Sequence, residues 1–219
     1  MAYAEAATLD GVVREIHAAL VALRRPYEVV IVDDGSADGT GDLADRIAGE
    51  TAGVRVVHHG TNRGLGGVYR TGFAEARQDF VTFFPADGQF SADLLGRYVA
   101  LMAEADFVLG YFPPAGRSLA GRVLSWGERL LYRTLFGPLP RFQGILMFRR
   151  SVLARLPLTS TGRGWAVLME LILRASRAGC RMRSIPIEVR PRRSGVSKVQ
   201  NLRTITSNLR QVLELRLRL

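Results

Sequence analysis

Acidic side chains follow two apolar segments of the chain at positions where a strand would end. Asp33 and Asp34 come directly after the run 27–32, and Asp87 follows the run 80–84. Because strand ends in an open parallel sheet face the crevice that binds nucleotides, Asp33 or Asp34 can accept hydrogen bonds from a base or ribose. Asp87 offers the hard oxygen that a divalent cation prefers. The simpler alternatives are helix capping for the first turn and an ordinary turn aspartate for Asp87.

The positive charge is concentrated in the last part of the chain. Residues 1–170 contain 18 basic and 18 acidic residues, whereas residues 171–219 contain 12 basic and 2 acidic residues, so this last part carries the whole net charge of +10. Such a segment can bind nucleic acid, an anionic membrane surface or a phosphorylated substrate, and charge alone does not distinguish them. A solvated basic face is the alternative without a ligand.

One lysine stands among the cations of this basic segment. Lys198 follows Arg192, Arg193 and Ser197, and every other cation of the chain is arginine. Arginine binds phosphate oxygens as a fork and lysine binds them as a point charge, so this grouping suits a phosphate. A chance surface lysine is the alternative.

The composition indicates one globular domain. The chain has 219 residues, 47% hydrophobic and 23% charged, with a mean hydropathy of +0.08, which excludes disordered and fibrous classes. No apolar run reaches the roughly 18 residues of a membrane-spanning helix. Cys180 is the only cysteine, and charged residues interrupt the first twenty positions, so we expect no internal disulfide, no secretory signal and a cytosolic location.

Alternating periodicities predict an α/β fold with a mostly parallel sheet. We interpret the two histidines at positions 58 and 59 as structural. The predicted helices span residues 5–23, 37–50, 68–78 after a glycine-rich bend over 61–67, 92–103, 117–136, 165–178 and 201–219, and the predicted strands span 27–32, 54–58, 80–84, 106–110, 144–148 and 181–189.

Five motifs in order resemble family 2 glycosyltransferases of the GT-A fold, in the branch that includes dolichol-phosphate mannosyltransferases. The resemblance spans nearly the whole chain. The motifs are the acidic segment 33–40 (DDGSADGT), the loop 62–67 (NRGLGG), the turn 86–90 (ADGQF), residues 148–150 with 170–175, and the segment 193–198 (RSGVSK).

The resemblance implies a Rossmann-like GT-A domain over residues 1–200, followed by an amphipathic basic helix over 201–219. It also implies a nucleotide-sugar donor, a Mg²⁺ or Mn²⁺ cofactor and roles for individual residues. Donor binding is implied for Asp33, Asp34, Gly35, Ser36, Asn62, Gly64 and Gln89. Metal binding is implied for Asp87 and Gln89, catalysis for Asp87 and Glu170, and phosphate binding for Arg192, Arg193, Ser197 and Lys198. For Glu170, an i,i+4 pair with Arg174 on a helix surface is the alternative.

The implied reaction is transfer of a sugar from a GDP- or UDP-sugar to a polyprenyl phosphate, with inversion. The acceptor phosphate is already an anion and needs no strong general base. We expect a peripheral protein at the cytoplasmic face of an anionic membrane, with the basic helix at the lipid surface. Few aromatic residues accompany the basic segment, which argues against nucleic acid. The sugar, the base, the lipid and the oligomeric state stay open.

Three departures from the family pattern favour a second hypothesis, a non-catalytic or truncated homologue that binds nucleotide-sugar or lipid phosphate. Residues 1–5 correspond to the last residues of the family's first strand, which predicts a gap with unpaired backbone groups in the sheet. The turn that contains Asp87 resembles the family's D-x-D-G-Q motif, and Pro85 stands at the position of its first aspartate. Pro140 stands at a position where members of the family often carry an aspartate.

Overall fold

Helices and strands alternate along the first half of the chain. The computed structural model describes residues 1–113, 127, 130, 133–191 and 215–216. The helices are α1 (Leu9–Ala22), α2 (Thr40–Glu50), α3 (Gly64–Glu75), α4 (Leu94–Leu101), α5 (Ser151–Arg155) and α6 (Ala166–Arg177). The strands are β1 (Val29–Asp33), β2 (Val54–His58), β3 (Phe80–Thr82), β4 (Phe107–Tyr111), β5 (Leu146–Arg149) and β6 (Met182–Pro186).

These elements confirm the predicted α/β alternation, with ends that differ by a few residues. The periodicity did not predict α5, because five residues are too few to show a helical repeat. The predicted helix over 201–219 and most of the one over 117–136 lie outside the described residues.

The strands form two separate ladders. β1 pairs with β2 in parallel, in the register Val29 to Val54 through Asp33 to His58. The second ladder has the order β3-β5-β4-β6, in which β4 and β6 are parallel and β5 is antiparallel to both of its neighbours. The second ladder is therefore mixed. The sequence did not predict the antiparallel strand, because the apolar run of β5 indicates a strand but not its direction.

Met1 and Ala2 lie between the two ladders. The Ala2 N–H donates to the Val32 oxygen, and the Asp34 N–H donates to the Ala2 oxygen, each at 2.9 Å. On the other side, the Met1 amine donates to the Phe84 oxygen at 3.1 Å. These two residues occupy the end of the position that the sequence predicts as a missing strand, and the rest of that position is a cleft.

Packed helices cover both faces of the strands. On one face, α3 and α6 bury Phe73 and Leu171 against Phe148 of β5. On the other face, α4 buries Tyr98, whose hydroxyl donates to the Ile145 oxygen at 3.0 Å. Each large apolar side chain buried in this way contributes about 1.5–3 kcal/mol, which fixes the strand ends that carry the polar residues.

Two glycines of α3 provide a matched test of how closely this helix packs against residues 162–164. A Cβ at Gly66 would collide with the Gly162 carbonyl oxygen, whereas a Cβ at Gly72 would meet nothing within 4 Å. We expect Gly66→Ala to lower the free energy of unfolding by about 1–3 kcal/mol through overpacking. Gly72→Ala should raise it by up to about 1 kcal/mol through helix propensity. Urea denaturation measures both, and a Gly66→Ala variant as stable as the parent would contradict the close packing.

Candidate active site

The polar strand ends meet at one edge of the structure. β1 ends at Asp33 and its parallel partner β2 ends at His58. Met1 and Ala2 pair in parallel with β1 and also bond to the chain just after β3. The carboxyl ends of β1, β2 and β3 therefore point the same way, which places the turn that contains Asp87 on the same edge.

Asp34 organises the loop that follows β2. Its Oδ1 contacts His59 Nδ1 at 2.6 Å and accepts from the Arg63 N–H at 2.8 Å, while its Oδ2 accepts from the Gly64 N–H at 2.9 Å. His59 Nε2 in turn bonds to the Thr71 hydroxyl at 2.9 Å. Asp34 and His59 are only 3% and 4% exposed. This carboxylate therefore holds the start of the loop 62–67 against β1. The hydrogen bonds of His59 agree with its interpretation as a structural residue.

Asp33 contacts His58, whose side chain is more exposed than that of His59. Its Oδ1 accepts from the Ser36 N–H at 3.2 Å, and its Oδ2 lies 3.3 Å from His58 Nδ1. The other ring nitrogen of His58 bonds to Asp45 at 2.9 Å. The bond to Asp45, followed by the bond to Asp33, raises the pKa of His58 above its usual value.

Gly35 and Asn62 bring two loops into contact. Gly35 has φ +73, and a Cβ there would lie 3.0 Å from the Asn62 nitrogen, so glycine permits both the conformation and the approach. The Asn62 side-chain oxygen accepts from the Gly64 N–H at 3.1 Å and from Arg163 Nη2 at 2.7 Å. These contacts bring together four of the predicted donor-binding residues: Asp34, Gly35, Asn62 and Gly64.

Ser36 contacts the first residues of the chain. Its hydroxyl oxygen accepts from the Ala4 N–H at 3.0 Å, and the hydroxyl oxygen of Thr40 accepts from the Glu5 N–H at 2.9 Å. Asp38 binds both the N–H and the hydroxyl of Thr40. The segment after Asp34 thus fastens the amino-terminal segment to the start of α2.

Asp87 lies in a tight turn that glycine makes possible. Its Oδ1 accepts from the Gln89 N–H at 3.1 Å, and Gly88 between them has φ +72. Asp87 is 5% exposed. In the part of the chain that the structure describes, no group of three or more His, Cys, Asp or Glu side chains is placed to hold a metal ion.

Arg190 fastens a distant segment to this turn. Its N–H donates to the Gln89 oxygen at 2.8 Å, and its guanidinium donates to Glu15 and to the Ser91 hydroxyl, each at 2.7 Å. Arg192 and Arg193 follow Arg190 in the sequence after Pro191. These two residues, Ser197 and Lys198 lie outside the described residues.

Glu170 is fully buried on α6, not on a helix surface. Its two oxygens accept hydrogen bonds from the Thr159 and Ser160 N–H groups at 2.7–3.0 Å and from Arg174 Nε at 2.8 Å. Burial alone would raise the pKa of Glu170, but these hydrogen bonds outweigh it and hold the pKa below its usual value. The i,i+4 pair with Arg174 is present. The catalytic role of Glu170 stays a prediction.

Three residues of this region were missed by sequence reasoning. Arg70 donates to the Ser160 and Gly162 carbonyl oxygens at 3.2 and 3.1 Å, and Arg163 and Arg190 bridge loops as described above. Arg70 and Arg190 belong to a chain rich in arginine, so no local pattern marks them. Arg163 alone had a signal, because it stands between two glycines in a segment without regular periodicity.

A family comparison agrees with this geometry. The model of the family described as glycosyl transferase family 2 matches residues 1–156. The chain belongs to glycosyl transferase family 2. This membership confirms the resemblance and identifies the chain as a glycosyltransferase. Among the helices in the described part of the chain, none is both long and apolar enough to cross a bilayer.

Individual mannosyltransferases are similar to this chain over most of its length. The chain is 31% identical over 183 residues to undecaprenyl-phosphate mannosyltransferase of Micrococcus luteus, covering 78% of this chain and 75% of that protein. It is 30% identical over 230 residues to polyprenol monophosphomannose synthase of Mycolicibacterium smegmatis, covering 96% and 81%. A solved mannosyltransferase of Pyrobaculum calidifontis, in complex with GDP-mannose and Mn²⁺, superposes with a TM-score of 0.62 at 19% identity, covering 99% of this chain and 71% of that one. The GT-A fold is therefore confirmed.

The buried Glu170 generates a pH-dependent prediction. Since its pKa is lowered on folding, its stabilising effect is complete above the unfolded value of 4.5 and is lost as the pH falls through the folded value. We expect Glu170→Gln to cost about 2–3 kcal/mol near pH 7, and the difference from the parent to shrink below pH 4.5. Urea denaturation at several pH values measures this.

Glu104→Gln is the matched control, because Glu104 is exposed and pairs with Arg183 at 3.7 Å. It should change the free energy of unfolding by less than about 0.5 kcal/mol at every pH. A Glu170→Gln cost that is equally small, or that does not depend on pH, would contradict the role given to this carboxylate.

Proposed function

We propose that the chain transfers a hexosyl group from a nucleotide-sugar to a polyprenyl phosphate, with inversion at the anomeric carbon. The observation that carries the proposal is the anchoring of Arg190 at the Asp87 turn. Arg190 lies two residues before Arg192 in the sequence and contacts the turn that contains Asp87, which supports a single site that combines a donor-binding edge with cations for phosphate. The two mannosyltransferase relatives support this substrate class.

The donor would bind at the carboxyl ends of β1, β2 and β3. In this proposal Asp33 and the backbone of Gly35 and Ser36 contact the nucleoside, as expected for the crevice of an α/β sheet. Asp34 acts indirectly on the donor, because its carboxylate holds the loop of residues 62–64 in place. GDP-mannose is the first donor to test, because of the relatives' names and the ligand in the Pyrobaculum structure.

The Asp87 turn suits a divalent cation. Asp87 and Gln89 offer a carboxylate and an amide oxygen within one turn. Mg²⁺ and Mn²⁺ are commonly held by one or two such oxygens with substrate phosphates as the remaining ligands, so the donor set fits. A cation bound there would offset the charge that develops on the departing diphosphate.

The reaction needs little acid–base chemistry from the protein. A phosphate oxygen of the acceptor attacks the anomeric carbon from the face opposite the nucleotide, forming a new C–O bond. The bond from that carbon to the diphosphate oxygen breaks, and its electron pair leaves with the nucleoside diphosphate. The protein accelerates this step by positioning the two substrates and by stabilising the charge that develops on the leaving diphosphate. We assign the acceptor phosphate or the leaving diphosphate to Arg192, Arg193, Ser197 and Lys198.

Glu170 enters the proposal as a positioning residue. It holds Thr159 and Ser160, which precede Arg163, and Arg163 contacts Asn62 at the donor edge. The basic segment 171–219 would also attract an anionic membrane surface, where polyprenyl phosphates reside, consistent with a peripheral protein.

The test is sugar transfer by the purified chain with GDP- and UDP-hexoses, a short polyprenyl phosphate and Mg²⁺ or Mn²⁺, read by mass spectrometry. Asp87→Asn should lower the transfer rate by about 100-fold or more, the scale of losing one electrostatic contact to the developing charge. Asp42→Asn, an exposed carboxylate in the first turn of α2, should leave the rate unchanged.

Two outcomes would contradict the proposal. Transfer by Asp87→Asn at the parent's rate would remove the cation site from that turn. A parent chain that binds the donor but forms no product with any acceptor would instead favour the non-catalytic homologue.

A further inference from the structure

Two charged side chains hold the loop 159–164 in a fixed position. Glu170 of α6 accepts hydrogen bonds from the Thr159 and Ser160 N–H groups at 2.7–3.0 Å. Arg70 of α3 donates to two carbonyl oxygens of the same loop at 3.2 and 3.1 Å. Because both ends of these contacts lie on helices packed in the core, the loop backbone is positioned before any ligand binds.

The backbone of Arg163 also packs directly against the first turn of α3. The Gly66 N–H donates to the Arg163 oxygen at 2.9 Å. A Cβ at Gly64 would lie 2.7 Å from that same oxygen, which is closer than van der Waals contact allows, so the approach requires glycine at this position. The Arg163 Cα is therefore placed beside the loop 62–67 by both hydrogen bonding and packing.

The side chain of Arg163, in contrast, is exposed and carries an unneutralised charge. It stands between Gly162 and Gly164 and is exposed to solvent. Among the residues that the structure describes, the partner of its guanidinium is the side-chain oxygen of Asn62, at 2.7 Å. That oxygen is neutral, so the contact orients the guanidinium without neutralising it. A rigid loop thus presents a cation that has no carboxylate partner in the described part of the chain.

The side chain of Asn62 next to it also presents a hydrogen-bond donor. The Asn62 oxygen already accepts from the Gly64 N–H at 3.1 Å and from Arg163. Its NH₂ group, which can only donate, is what remains for a ligand. A guanidinium has five N–H donors and no acceptor, so Arg163 keeps further donors after its bond to Asn62. The two side chains together offer donors and no free acceptor.

A ligand that suits such a pair is rich in acceptors and negatively charged. A base or a sugar hydroxyl both donates and accepts, whereas a phosphate at neutral pH presents several acceptor oxygens, which the arginine fork matches. Asp34, the carboxylate that contacts the loop 62–67, is buried, and both of its oxygens already accept hydrogen bonds. It therefore does not compete with a phosphate for the Arg163 guanidinium.

We propose that Arg163 and the Asn62 amide form a phosphate-binding site at the donor edge, which is the edge formed by the carboxyl ends of β1, β2 and β3. A phosphate oxygen would accept from both side chains. Two substrates of the proposed reaction carry this chemistry, the diphosphate of the donor and the phosphate of the acceptor. Assignment of the site to one of them rests on the proposed function, whereas the binding of phosphate itself does not.

The experiment measures dissociation constants by titration calorimetry for the parent chain and two variants. The probes are GDP and UDP, each compared with its nucleoside, and farnesyl phosphate compared with farnesol. Arg163→Gln should weaken the binding of the phosphate compounds of one source by about tenfold or more. It should change the binding of the matching nucleoside or alcohol by less than about twofold. Arg155→Gln is the matched control, because Arg155 is exposed at the end of α5 and its loss changes the net charge equally.

The probes separate the two sources and the two proposals. A loss confined to GDP or UDP assigns the site to the donor, and a loss confined to farnesyl phosphate assigns it to the acceptor. Unchanged binding of every phosphate compound, or a parent chain that binds none of them, would overturn the site. An equal loss for nucleotide and nucleoside would also overturn it, because Arg163 would then only brace Asn62. A loss of phosphate binding in a chain that transfers no sugar would leave the site standing and contradict the proposed function.

A second measurement uses the parent chain alone and stays decisive if Arg163→Gln does not fold. Phenylglyoxal modifies exposed arginines, and peptide mass spectrometry follows each residue separately. With GDP or farnesyl phosphate at about ten times its dissociation constant, modification of Arg163 should slow about tenfold. Modification of Arg155 should keep its rate. Equal rates at Arg163 with and without both ligands would overturn the proposal.

Discussion

The hydrogen bonds of the buried Asp34 carboxylate are the interaction on which the geometry of the candidate site depends. It is almost completely buried, and it contacts His59, the Arg63 N–H and the Gly64 N–H. A buried carboxylate without partners costs several kcal/mol, so the loop after β2 must adopt the conformation that supplies them. The close approach of Gly35 to Asn62 and the contact of Asn62 with Arg163 follow from that placement.

Buried or half-buried charges join distant parts of the chain at the same edge. Glu170 fixes the segment that leads to Arg163, and Arg190 fixes the segment that leads into the basic region. Glu170 accepts hydrogen bonds from the Thr159 and Ser160 N–H groups. Arg190 forms a hydrogen-bonded ion pair with Glu15. Contacts of this kind stabilise a particular geometry even where their net contribution to folding is small. The candidate site is thus assembled from loops, whereas the apolar core supplies the strands and helices that hold the ends of those loops.

Sequence reasoning predicted the parts of this structure that have a periodic or motif signal. The strand ends at Asp33 and Asp87 and the alternation up to β4 follow from apolar runs and turn residues. The antiparallel direction of β5 was not predicted, because an apolar run does not indicate the direction of a strand in its sheet. The contacts of Asp34 with the loop after β2 were not predicted, since no sequence feature distinguishes a carboxylate that binds a loop from one that binds a ligand. The donor-binding role of Asp34 stays a prediction. The contacts of Arg163 and Arg190 were not predictable, because their partners are 101 and 175 residues away.

The most direct test of the site is a crystal structure of the chain with a nucleoside diphosphate and Mn²⁺, in which anomalous scattering locates the metal. We expect one Mn²⁺ ion bound to Asp87, bridging to the diphosphate, with the nucleoside along the ends of β1 and β2. A nucleotide bound elsewhere, or a metal ion at that diphosphate without contact to Asp87, would contradict the assignment of this edge as the donor site.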